Sequence, residues 1–125
     1  MQLLLRIFMY PSSKQVALLI AVMLKRSGKT RARVSEKTVK TLAGRTTLRD
    51  AFTTQLRAWI EDFGVMLVRL DRGGFALVTI AALEGAPTVL ARDYVRVERQ
   101  ALISGKLQES ELLMELGIAG EEGED

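Results

Sequence analysis

The chain has no cysteine and no histidine. That excludes disulfide frameworks, metal sites built on thiolate or imidazole, and every nucleophilic arrangement that relies on a cysteine or a histidine base. Chemistry would have to rest on carboxylates or lysines, and the adjacent acids Glu61 and Asp62 would point different ways on a helix. No catalytic constellation, metal site or cofactor site is therefore expected, and the chain reads as a non-enzyme. Long apolar runs are also absent. The longest, VALLIAVML at residues 16–24, has nine residues, whereas a membrane-spanning helix needs about 20. It sits late and no small-residue cleavage site follows it, which argues against an export signal. A cytoplasmic, nucleoid-associated protein with no membrane partner is the expectation.

What is present fits one ordinary domain: 125 residues, 48% of them apolar and 26% charged. The net charge of +3 conceals a strong asymmetry. Up to Lys106 the chain holds all 18 basic residues against eight acids, a net +10; beyond it come seven acids and no base. A basic body favours a polyanionic partner, and an acidic tail can compete with that partner for the same face. The expected organisation is an apolar arm at residues 1–12, a domain at 13–106, and an acidic, partly disordered tail at 107–125.

Helix and strand signals alternate along the domain. The opening MQLLLRIFMYP is apolar up to Pro11. Ser12 and Gln15 have capping-box spacing, Lys25 and Arg26 suit a last helical turn, and Gly28 suits a helix stop, so the first helix is expected over about 13–26, followed by a basic linker. Ser35 can cap a short helix over 36–43 that ends at Gly44. Thr46 or Thr47 can cap a third helix, whose apolar series Leu48, Ala51, Phe52, Leu56, Trp59, Ile60 and Phe63 runs to a stop at Gly64. Trp59 falls in phase with that series and is read as core. The period then changes to two: VMLVRLD and FALVTI, joined through two glycines, predict a β-hairpin. Beyond Pro87, TVLARDYVRVERQALIS reads as one more helix with Leu90, Tyr94, Val97, Ala101 and Leu102 as buried positions. ESELLMELGI has the pattern of an amphipathic turn or two.

Gly28, Lys29 and Thr30 spell the end of a nucleotide-binding P-loop. The full pattern needs a glycine five residues earlier so that backbone amides can bend around the phosphates, and that position is Met23. Phosphates of a nucleic acid fit this stretch better. From Lys25 to Arg49 there are nine basic residues and one acid, Glu36. A solvated face usually interleaves both signs.

The order helix, short helix, glycine-containing turn, longer amphipathic helix, β-hairpin resembles the winged helix-turn-helix superfamily over residues 13–80. The resemblance implies an α+β fold: a winged helix-turn-helix core of three helices and a hairpin wing, here with an additional C-terminal helix. It also implies double-stranded DNA as partner, with the second helix of the tight pair in the major groove. Arg45, Thr46, Thr47, Arg49, Thr53 and Arg57 are the expected recognition residues, since arginine reads guanine and threonine offers a hydroxyl or a methyl to base edges. Lys29, Arg31, Arg33 and Lys37 are the expected phosphate contacts, and Arg69 and Arg72 the wing contacts. A homodimer, through the N-terminal arm or the helix after Pro87, would supply two half-sites. The implied role is a small bacterial-type transcriptional regulator or mobile-element accessory factor. The alternative is the same fold serving as a protein-interaction module that never touches DNA.

Overall fold

The capping signals at Ser12 and Ser35 set the frame from which the chain builds. The computed structural model describes residues 10–118, so most of the expected apolar arm lies outside the described residues. Contacts divide the chain into two units, Met1–Ala86 and Pro87–Asp125, and the segment expected to complete the first domain belongs to the second unit. Among the described residues, seven helices and a three-stranded antiparallel sheet make a mixed α+β protein.

In the first unit, helix α1 (Ser13–Ser27) begins with a complete capping box. Ser12 Oγ accepts from the Gln15 amide at 3.1 Å, and Gln15 Oε1 accepts from the Ser12 amide at 3.0 Å. Gly28 ends the helix in the left-handed conformation, with its amide donating to the Lys25 carbonyl. Residues 29–34 are not the linker expected. Strand β1 (Arg31–Val34) forms there, with Ala32 and Val34 half-buried and Arg31 and Arg33 exposed. Its alternation of charged and small apolar residues is that of an edge strand with one wet face. The run was short and basic enough to hide that period. Since Gly28–Lys29–Thr30 joins a helix to a strand, it has the reverse of the strand-to-helix order a P-loop requires.

Helix α2 (Glu36–Ala43) is capped by Ser35 Oγ, which accepts from the Thr38 amide at 3.0 Å. It closes in a Schellman turn: the Arg45 amide donates to the Lys40 carbonyl at 2.9 Å and the Gly44 amide to that of Thr41 at 3.2 Å. Helix α3 (Asp50–Asp62) starts two or three residues later than the threonines suggested, with Arg49 as its N-cap and no side-chain hydrogen bond from it. The hairpin follows as β2 (Val65–Arg69) and β3 (Phe75–Thr79), and a short α4 (Ile80–Glu84) closes the unit.

The sheet order is β1-β3-β2, with Arg31 opposite Val78, Val34 and Arg69 both opposite Phe75, and Val65 opposite Thr79. One face of the sheet packs on the helices. Val16, Ala17, Ile20 and Leu24 of α1 meet Val39 and Ala43 of α2, Phe52, Leu56 and Ile60 of α3, and Val65, Leu67, Phe75 and Leu77 of the hairpin in one buried cluster. Each fully buried large side chain here contributes roughly 1.5–3 kcal/mol. On the opposite side of α1, Leu18, Leu19 and Val22 are exposed among the described residues.

The second unit departs further from expectation. The single helix read after Pro87 is broken at Val95 into α5 (Ala91–Tyr94) and α6 (Arg96–Ile103), and α7 (Glu109–Glu115) follows. Leu90, Tyr94, Val97 and Leu102 are exposed, Ala101 is half-buried, and no described residue of this unit is buried. Without a packed apolar face, segments of this length lack the tertiary support that sustains a long helix.

The hairpin depends on one close approach. Gly74 has φ +81° and a Cβ built on it would lie 2.9 Å from the Val34 carbonyl oxygen, whereas Gly73, at φ +97°, faces open space. Gly74→Ala is expected to cost about 1–3 kcal/mol of unfolding free energy, measured by urea denaturation. Gly73→Asn should cost clearly less, because it meets no backbone and asparagine tolerates positive φ.

Candidate nucleic-acid interface

The turn between α2 and α3 is a run of polar and basic residues held from both sides. Leu48 packs half-buried against the core, which leaves Arg45, Thr46, Thr47 and Arg49 exposed around it. These four, with Gly44 and Tyr10, line one open concavity. Tyr10 was not anticipated as part of this surface. Its ring lies over Gly44 so closely that a Cβ there would come within 2.5 Å of Cδ1, and the residue is still 69% exposed. The sequence signal was the pairing of an aromatic just before Pro11 with a glycine at a helix stop, which only the tertiary fold brings together.

Arg45 is stacked on Phe52, its guanidinium carbon 4.1 Å from the ring centroid. That contact fixes the side chain beside the first turn of α3 without using its N–H donors. Arg49 and Thr54 are exposed at the same end of the helix. Thr53 is not available: it is 5% exposed, and its Oγ1 donates to the Arg49 carbonyl at 3.2 Å. The buried stripe of α3 runs Phe52, Thr53, Leu56, Ile60, with Ala51 turned outward, so Thr54 takes the exposed place assigned to Thr53.

Arg57 is exposed, but its Nε donates to the Leu67 carbonyl at 3.2 Å. It ties α3 to the open edge of β2. Arg69, expected at the wing, reaches Glu36 at 3.8 Å and lies 5.0 Å from the Phe75 ring centroid. The one acid in the basic stretch is thus matched by a hairpin arginine, although an exposed pair at this distance contributes little to stability. Arg72 is exposed in the hairpin turn, which is closed by Gly73 donating to the Leu70 carbonyl and Leu70 donating to that of Gly74.

The four expected phosphate contacts do not form one cluster. Lys37, in the first turn of α2, follows Ser35, whose Cα lies 3.6 Å from where a Gly74 Cβ would stand, so this helix end abuts the hairpin turn. Arg33 is one pair from that end of the sheet, opposite Ala76. Arg31 is opposite Val78 and Lys29 precedes it, toward the far end. At about 3.3 Å per residue the strand separates its two ends by roughly 10 Å. Arg31 and Arg33 instead share the outer, solvent side of the sheet with Ala76 and Val78.

Among the described residues no group of acids could hold a metal ion, and no helix is long and apolar enough to cross a membrane. No family model, curated protein or solved structure matches the chain.

The geometry separates a structural arginine from free ones. Arg57→Ala removes the donor to a strand carbonyl and should lower unfolding free energy by about 1 kcal/mol, while Arg49→Ala, whose side chain makes no cap, should leave it within about 0.5 kcal/mol. Urea denaturation of the two variants checks this. Equal effects would contradict the edge-strand role.

Proposed function

We propose that the first unit is a winged helix-turn-helix that binds double-stranded DNA, in a small regulator or accessory factor. The observation that carries this reading is the exposed set Arg45, Thr46, Thr47 and Arg49 in the turn leading into a 13-residue helix. Of the acids nearest in sequence, Asp50 begins α3 and is exposed beside Arg49, and Glu36 is engaged by the hairpin. In this arrangement α3 enters the major groove by its N-terminal end, and the hairpin turn meets the flanking backbone. Arg49 and Thr54 then face base edges, Arg45 and the threonine hydroxyls hold phosphates, and Lys37, Arg33 and Arg72 extend the phosphate track along the hairpin side. Arg57 and Arg69 position this surface, and Lys29 and Arg31 add to the surrounding positive field.

A second reading, a protein-interaction module, is favoured by the exposed Leu18, Leu19 and Val22 on α1. It requires no polyanion.

Binding of the full chain to a random duplex, measured across salt, separates the two. Several phosphate contacts require log K to fall against log salt by about 0.9 per contact; the absence of binding at about 50 mM salt would exclude the DNA reading. If DNA binds, Arg49→Ala should flatten the preference found by selection from a random pool, by about 1–3 kcal/mol at one position. Lys37→Ala should instead weaken all sequences alike and reduce the salt slope by about one contact. The reverse pattern would mean that α3 is not the reading helix.

A further inference from the structure

Among its described residues the second unit has helices but no interior. Its helices, α5 (Ala91–Tyr94), α6 (Arg96–Ile103) and α7 (Glu109–Glu115), are four, eight and seven residues long. Isolated helices below about 12 residues are marginal in water, so segments like these persist by burying an apolar face. No residue described in this unit is buried, and Val89, Tyr94, Val97, Ile103, Met114 and Leu116 are each 65–75% exposed. Such a concentration of large apolar side chains marks an interaction surface.

Charge identifies what covers it. Residues 87–106 carry Arg92, Arg96, Arg99 and Lys106 against Asp93 and Glu98, whereas residues 107–118 carry Glu109, Glu111 and Glu115 and no base. The unit is therefore basic in its first half and acidic in its second. Among the described residues the ion pair is Arg69–Glu36, so the opposite charges of residues 87–118 form no pair with one another there. A surface with both signs separated along it is complementary to itself when reversed, and a two-fold interface requires that property. We infer that residues 87–118 form a homodimer interface in which α5 and α6 of one copy lie against α7 of the other, with the exposed apolar side chains between them. Each basic half meets an acidic half twice across the axis. The assignment is independent of any nucleic-acid role of the first unit.

The full-length chain is tested by sedimentation equilibrium with two charge-reversed variants. Arg96→Glu with Arg99→Glu makes both halves acidic, and Glu109→Arg with Glu115→Arg offsets the acidity of the second half with arginines. All four side chains are exposed, and Glu111, which accepts from the Gln108 amide at 3.0 Å and caps α7, is left intact. The wild type is expected to be a dimer at micromolar concentration, with each variant alone weakened by about tenfold or more. An equimolar mixture of the two variants should regain a dimer of one copy of each. A wild-type monomer up to about 100 µM overturns the inference. So does a dimer indifferent to both variants, or one lost with Leu19→Glu on α1. Failure of the mixture to recover would mean that the charges pair within one chain, and overturns it as well.

Discussion

The pairing of β1 with β3 is the interaction on which the arrangement of the first unit depends. Without it, α1, α2 and α3 would be a helical cluster with a hairpin attached at one end. With it, the chain between α1 and α2 becomes the third strand of the sheet, Val34 is set opposite Phe75, and the start of α2 is held against the hairpin turn. The distance between the α2–α3 turn and the hairpin is then fixed by backbone hydrogen bonds and not by side-chain packing alone. For a surface that must meet a rigid polyanion at several points, holding the charges on a strand and two helix ends lowers the ordering cost that a flexible basic linker would incur on binding.

The basic residues divide into those occupied within the protein and those left to solvent. Arg57 bonds a strand carbonyl, Arg69 reaches Glu36 across Phe75, and Arg45 stacks on Phe52. Stacking and hydrogen bonding differ in what they leave behind. A guanidinium over an aromatic ring keeps its fork of donors in the ring plane free for a carboxylate, phosphate or guanine, so Arg45 is both fixed and available. Arg57 has committed its Nε. The same residue type on the same surface thus holds the scaffold at one position and presents donors at another.

Local chemistry explains what could be read directly from the residues. Ser12–Gln15, Ser35–Thr38, Gly28 and Gly44 are caps whose geometry is set by immediate neighbours, and α1 and α2 lie where those caps put them. The hairpin was legible from its paired glycines for the same reason. What failed depended on distant partners. Strand β1 has four residues with two arginines, and only its pairing with β3 makes it a strand. On α3 the stripe of Phe52, Leu56 and Ile60 is buried as its spacing suggested, but Thr53 is buried and Ala51 exposed, which is decided by how α3 packs against α1 and β2. Threonine satisfied by the carbonyl four residues back can replace an apolar residue in the core, and no periodicity count reveals that. In the second unit, apolar spacing suggested a helix with a buried face, but spacing alone does not say that the covering surface exists within the same molecule.

Arg57 also bears on what β2 cannot do. An edge strand presents unpaired carbonyls and amides that can template the addition of another strand. On β2 the Leu67 carbonyl already accepts from Arg57, and on the other edge β1 carries Arg31 and Arg33. One edge is thus blocked at a hydrogen-bonding position and the other is guarded by two like charges that repel a second copy of themselves. The small sheet can sit exposed in a crowded solution without growing into a larger one. If copies of this chain associate, they are steered to do so through side chains and not through strand-to-strand extension.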